Sequence, residues 1–394
     1  MGSVDAVRTV EGNLDSLAST LREEPLLAAG VVVAVLVLAG VGVALVRYLR
    51  RTPGQQFARL LGDQETVGVL MHPGPDPDAM SCALAIGALA QRQDTETTLY
   101  HAGQIRHHEN RAFQTVLDAT FEQIEHAGEI TEHEIVLVDH NRPRGFSDAE
   151  AVEPLAVVDH HPGNGTGRKF TDVRTDAGAC ATILSEYFES LGYTPVSPDE
   201  LADLDSTRGA LDPQVSTALL YGIQSDTKNL TNGCSPAEFE AASYLYDGVD
   251  EGKLDRIANP DMDAESLDVK ARAILEREIR SAFAVSDVGR VSNVDAIPQA
   301  AEELRRLEGV NAVVVLAEKD GVIHLSGRSN DDRVHMGKTL EAAVEDVPMS
   351  SAGGHARMGG GQISTEHMEG IGPGGGVTRQ RFKERLFAAM NGEL

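Results

Sequence analysis

The chain has 394 residues, enough for two domains and a sizeable core, with ample aliphatic residues, 4% aromatics and no Trp. Its formal net charge of −27, from 61 acidic against 34 mostly arginine basic residues, argues against long nucleic acid as a partner, because backbone binding relies on basic surface and counterion release. The same charge suggests a high-salt cytoplasm, where self-repulsion is screened, and three dispersed cysteines (Cys82, Cys180, Cys234) indicate neither a disulfide framework nor a thiolate zinc site.

In chain order, a tail over 1–25 precedes Leu26–Val46, an uncharged apolar run about as long as a helix needs to cross a bilayer. Arg47, Arg50 and Arg51 follow the run, whereas Glu23 and Glu24 flank Arg22 before it. The positive-inside rule then predicts a single-pass protein of the cell membrane, with the tail extracytoplasmic and the rest cytoplasmic. A polar segment over 47–65 reads as a tether.

From Thr66, strand-like runs (TVGVLMH, TTLYHAG, IVLVDH, LAVVDHH) alternate with helical stretches such as SCALAIGALAQ. That alternation predicts an α/β domain over 66–248, a parallel sheet wrapped by helices, with function at the carboxyl ends of its strands. A helical connector over 249–284 leads to a smaller α/β domain over 285–394, with strands around VNAVVVLAEK and VIHLSGRS. Gly-rich stretches (GGHARMGGGQIS, GIGPGGG) and a helix through QRFKERLFAAM close the chain. No Lys-Ser/Thr follows the glycines at a helix start, so they do not read as phosphate loops of an NTPase.

The chemistry gathers at strand ends. His72, Asp76 and Asp78 leave the first strand together in HPGPDPD, whose three prolines stiffen the loop. Alone, that segment reads equally as a helix cap with solvated acids. Asp139 then closes IVLVDH, Asp159, His160 and His161 close LAVVDHH, and Asp226 follows a helical run. Unpaired acids and imidazoles at neighbouring strand ends would repel or desolvate one another, and divalent cations are the simplest compensation. Hard oxygens with imidazole suit Mn²⁺ or Mg²⁺. His101, His107 and His108 read as surface histidines, and Lys228 and Asn229 as loop residues beside Asp226.

These segments resemble the DHH phosphoesterases, a family named for the triplet Asp159-His160-His161. HPGPDPDA, VLVDH, VVDHH and GIQSDT stand in the order of its four motifs, over about Thr66 to Gly248, and SGRS (Ser326–Ser329) with GGH (Gly353–His355) resembles the associated DHHA1 substrate-binding domain. The resemblance implies one metal on His72, Asp76 and Asp139, and a second on Asp78, Asp139, His160 and Asp226, with Asp139 bridging. It implies a shared hydroxide nucleophile, Asp159 orienting His160, and His161 on a phosphate oxygen. Arg328, Gly353, Gly354 and His355 would grip the substrate in a cleft between the domains. Two Mn²⁺ ions are expected, with Mg²⁺ or Co²⁺ as alternatives.

The implied activity is a membrane-anchored phosphodiesterase acting on short oligonucleotides or linear or cyclic dinucleotides. The lipid bilayer is its other partner, and a homodimer is compatible with the sequence. Adenosine 3′,5′-bisphosphate phosphatase, or a nucleotide sensor without turnover, is the alternative. SGRS and GGH speak against a pyrophosphatase, and the acidic charge against a processive exonuclease of single-stranded DNA. The origin implied by charge and resemblance together is haloarchaeal.

Overall fold

The computed structural model describes residues 51–105, 107–203, 209–368 and 377–394, together with Val33, Leu36 and Val37. The expected tail, most of the expected span over 26–46, and GIGPGGG lie outside the described residues. Among the described residues no helix is long and apolar enough to cross a membrane. This corrects the expected localisation: a single-pass membrane protein is not supported. The expectation rested on an uncharged run, and spanning hydrocarbon takes a helix of about 20 apolar residues, which no described helix provides.

The chain forms two compact units, one of Glu109–Ala258 with the chain up to Ile105, the other of Asn259–Leu394 with Arg106–His108. In the first unit, six strands form a sheet in the order β3-β2-β1-β4-β5-β6, all parallel. They are β1 (Thr66–Met71), β2 (Glu96–Ala102), β3 (Glu122–Ile124), β4 (Ile135–Val138), β5 (Ala156–Asp159) and β6 (Phe170–Val173). The order reverses between β1 and β4, so the loops leaving those neighbours diverge and open a crevice at their carboxyl ends.

Besides a short helix at Pro198–Asp203, the helices accompanying the sheet are α1 (Pro53–Gly62), α2 (Pro77–Gln91), α3 (His108–Val116), α4 (Cys180–Ser190), α5 (Pro213–Asp226), α6 (Pro236–Tyr246) and α7 (Glu251–Ala258). Their buried residues join Val67, Val69 and Met71 in one core. The alternate strand residues, Leu70, Tyr100, Leu137 and Val157, form a smaller core closed by Ile130, Phe146 and Val152 from connecting segments. Helices therefore cover chiefly one face. The β4–β5 and β5–β6 connections hold no α-helix, which leaves the loops that carry Asp139, His160 and His161 short and close to the sheet.

Part of the segment read as a tether forms α1, which opens with a capping box in which Thr52 Oγ1 accepts from Gln55 N–H. Phe57 and Leu61, one turn apart, are fully buried. Phe57 packs on Phe170 and Tyr187 at centroid distances of 5.3 and 5.6 Å. Phe57→Ala should therefore cost about 3–5 kcal/mol. Urea denaturation checks this, and a loss below about 1 kcal/mol would mean that α1 is a dispensable tether after all.

The second unit contains α8 (Ala264–Leu275), β7 (Arg277–Arg280), β8 (Phe283–Arg290), α9 (Ala296–Arg305), β9 (Ala312–Lys319), β10 (Val322–Ser329), α10 (Met336–Val344), β11 (Ser351–Gly354), β12 (Met358–Ser364) and α11 (Arg379–Met390). Its sheet runs β11-β12-β10-β9-β8-β7, antiparallel except for β8 with β9. The helix expected to reach Ala284 stops at Leu275, and Arg277–Arg280 pairs instead as the sheet's edge. Its charged residues read as helical in sequence, yet charge is also what protects an exposed edge.

Candidate metal centre

The loop after β1 carries three of the predicted residues, each held by local structure. Asp76 caps α2: its Oδ1 accepts from Ala79 N–H at 3.1 Å, and Pro77 occupies the first helical turn. Its other oxygen is left to face His72 Nε2 at 3.5 Å. Asp78 is fully buried at the amino end of α4, accepting from Cys180 N–H at 2.6 Å and Ala181 N–H at 2.8 Å. Asn110 Nδ2–H donates to Pro75 O at 2.8 Å and pins the loop between them.

Asp139, at the end of β4, is 1% exposed and left-handed, with φ 59°. A non-glycine residue in that region is strained, and this strain sits where the crevice opens. Asp139 Oδ2 lies 3.4 Å from His72 Nε2, and Oδ1 lies 3.3 Å from His160 Nε2. His160 Nε2 also approaches Asp226 Oδ2 at 3.4 Å and Asp78 Oδ2 at 3.8 Å. Donor atoms thus cluster in overlapping groups: His72, Asp76, Asp139; Asp78, His160, Asp226; and Asp139, His160, His161.

Several observations fit these groups to divalent ions. Donors sharing one ion at about 2.1 Å stand about 3 Å apart, close to the spacing here. Both oxygens of Asp139, and Nε2 of His160, are buried with no hydrogen-bond partner among the described residues. Buried acceptors are rarely left so. The second ring nitrogens of both histidines face backbone carbonyls, His72 Nδ1 to Pro73 O and His160 Nδ1 to Ala177 O, each at 3.2 Å. That pattern sets the tautomer leaving Nε2 free for an ion.

The electrostatics agree. Burial, then Asp139 and Asp226, pushes the Asp78 carboxyl well above the usual carboxylate range, and burial likewise raises Asp226. Burial alone would lower His72 and His160, but facing carboxylates outweigh it and raise them to about 10 and about 12. The cluster demands positive charge, which protons meet in the metal-free chain and divalent cations would meet on binding.

Asp159 departs from its expected role. Its Oδ1 accepts from His161 N–H at 3.0 Å and faces His161 Nδ1 at 3.0 Å, so it orients His161 and not His160. A one-residue offset in a DHH triplet cannot be resolved from sequence. Asn141, which sequence reading missed, donates to Asp159 Oδ2 at 2.6 Å. His101, read as a surface residue, is 4% exposed on β2 beside Met71. Beyond Asp226, Lys228, Asn229 and Leu230 are all left-handed, a strained run braced by Leu230 N–H donating to Thr227 Oγ1 at 3.0 Å.

In the second unit, Arg328 on β10 pairs in register with Met358, and Gly353 and Gly354 pair with Gly360 and Gly359, so these residues share one end of the sheet. Arg328 Nε lies 3.5 Å from Glu302 Oε2, and its Nη1 donates to Gly327 O at 2.9 Å. His355 is exposed at the hairpin turn, but its N–H donates to Met358 O at 2.8 Å. That amide is not free for an anion, so an anion-binding role would fall to the imidazole.

Comparison with known proteins finds a matching family model in each unit. Residues 66–223 match the DHH family, N-terminal domain, and residues 280–371 match the DHHA1 domain. An uncharacterized protein of Methanocaldococcus jannaschii is 31% identical over 308 residues, 78% of this chain and 58% of its own length. The cyclic-di-AMP phosphodiesterase GdpP of Geobacillus thermodenitrificans is 27% identical over 335 residues, 81% of this chain and 48% of its own. The chain thus spans roughly half the length of these relatives. Among solved structures, an exopolyphosphatase-related protein of Bacteroides fragilis shares the fold, with TM-score 0.58 and 13% identity over 86% of this chain and 96% of that one. DHH family homologues are metal-dependent phosphoesterases and nucleases.

Proposed function

For a chain built of a DHH family N-terminal domain and a DHHA1 domain, we propose the activity of a two-metal phosphodiesterase that hydrolyses short oligonucleotides or linear or cyclic dinucleotides. The observation that carries this reading is the division of Asp139, one oxygen facing His72 and the other His160. His72, Asp76 and Asp139 would hold one ion, and Asp78, Asp139, His160 and Asp226 the other, with Mn²⁺ suited to this oxygen-rich donor set. When bound, such ions supply Lewis-acid stabilisation of phosphoryl charge and a nucleophile at neutral pH. The likeness to a cyclic-di-AMP phosphodiesterase supports a nucleotide phosphodiester as substrate.

The chain's own residues then position and neutralise. Asp159 lends negative charge to His161 Nδ1 and, together with other nearby carboxylates, keeps that imidazole protonated to higher pH than usual. A half-exposed imidazolium beside the ligand groups can donate to a non-bridging phosphate oxygen. In the second unit, Arg328, with its planar fork, and His355 are suited to hold a phosphate, with Gly353 and Gly354 allowing close approach.

The test uses the full chain with Mn²⁺ and, separately, a dinucleotide, cyclic di-AMP, adenosine 3′,5′-bisphosphate and pyrophosphate, with products resolved by chromatography. Metal-dependent cleavage of a phosphodiester is the expected result. Consumption of pyrophosphate alone, or of the bisphosphate alone, would overturn the proposal.

A further inference from the structure

The segment Asn141–Gly145 contributes no donor to the groups above, yet it is wedged between the loops that do. Gly145 is left-handed, with φ 87°, and a Cβ there would collide with Pro73 of the His72–Asp78 loop. On the opposite side, a Cβ on Gly165 would collide with the carbonyl of Asn141, and one on Gly163 with its side chain. Asn141 also donates Nδ2–H to Asp159 Oδ2 and, at 3.3 Å, to His161 O. Close packing on both flanks makes this segment a fixed platform at the rim of the ligand groups.

The platform carries two exposed arginines, Arg142 and Arg144. Arg142 donates to Asn164 Oδ1, a neutral acceptor, and Arg144 has no hydrogen bond or ion pair with any described residue. Other arginines of the chain sit against carboxylates, Arg168 on Glu134, Arg174 on Asp172 and Arg379 on Asp287 among them. In a chain with 61 acidic residues against 34 basic ones, these two cations follow the candidate ligand Asp139 by three and five positions on a packed segment, with no described carboxylate neutralising them.

We propose that Asn141–Gly145 is an anion clamp in which Arg144, with Arg142 beside it, binds a substrate phosphate other than the scissile one, such as the terminal phosphate of a short nucleotide. The proposal rests on the phosphodiesterase reading for the identity of the substrate. The guanidinium fork matches a phosphate dianion, and a packed platform spares the entropy of ordering it on binding.

The experiment compares a 5′-phosphorylated dinucleotide with the same dinucleotide lacking that phosphate. Equilibrium binding is measured on the metal-free full chain, where turnover does not interfere, and hydrolysis separately with Mn²⁺. Wild type should prefer the phosphorylated ligand, and Arg144→Gln should cut that preference about tenfold, with a smaller fall for Arg142→Gln. Arg168→Gln, remote in function and ion-paired, should keep it. Arg144→Lys should restore part of the preference, which separates a lost charge from a disturbed loop. An unchanged preference in Arg144→Gln, none in wild type, or no recovery in Arg144→Lys overturns the clamp. If wild type cleaves both dinucleotides while the preference ignores Arg144, the clamp fails and the phosphodiesterase stands. If neither is cleaved but the Arg144-dependent preference persists, the clamp stands and the activity must be sought elsewhere.

Discussion

Replacing Asp139 by Asn should lower the metal-dependent rate of phosphodiester hydrolysis about a thousandfold or more, with little change in thermal stability. Asn tolerates the left-handed backbone held at φ 59°, so the substitution removes charge and one acceptor without forcing the β4 terminus to move. Both carboxylate oxygens of Asp139 are buried without a hydrogen-bond partner among the described residues, each facing a different histidine. An amide can serve one side only. Initial rates with Mn²⁺, together with metal content by elemental analysis, check the prediction. Asp139→Asn should hold fewer ions than wild type, and retention of rate within tenfold would mean that the two groups do not act through a shared carboxylate.

The affinity for each ion should rise with pH by up to about tenfold per unit, because an ion entering each group displaces a proton. In the metal-free chain His72 and His160, raised to about 10 and about 12, are both protonated at neutral pH. Two protons released per two ions bound give that slope. Calorimetry in buffers of different ionisation enthalpy would count them, and uptake or no release would show that the imidazoles are not ligands. The sign for stability follows from the same groups. Each has a folded pKa above its unfolded one, so its contribution is fully present below about pH 6.5 and is lost as pH rises toward the folded value. The buried carboxyls of Asp78 and Asp226, also raised, act in the same direction. The chelated chain should therefore become less stable above neutral pH, and added Mn²⁺ should reverse the trend.

Strand identity in the first unit was legible because each strand is a short aliphatic run that ends abruptly in charge, as in IVLVDH and LAVVDHH. The clustering of His and Asp side chains was legible for the same reason, since acids and imidazoles recur at successive strand ends. The polar loop before Thr66 was not, since α1 is recognised by the burial of Phe57 against Phe170, a residue more than a hundred positions away. The edge strand Arg277–Arg280 was hidden because charged alternation is compatible with a helix surface and with a protected edge alike. The apolar run over 26–46 shows the opposite error, in which composition suggested a membrane span that no described helix supports.

By itself the sequence determined the chemistry available, a set of His and Asp side chains at strand ends in a strongly acidic chain, because residue type and strand periodicity are local properties. Only tertiary structure decided how those donors divide. The order β3-β2-β1-β4-β5-β6 brings Met71 and Val138, far apart in sequence, to adjacent strand ends, and so lets Asp139 stand between His72 and His160. It also decided that Asp159 serves His161, and that Arg142 and Arg144 ride on a platform locked between two loops. Each of these depends on distances between non-neighbouring backbones, which a one-dimensional pattern does not contain.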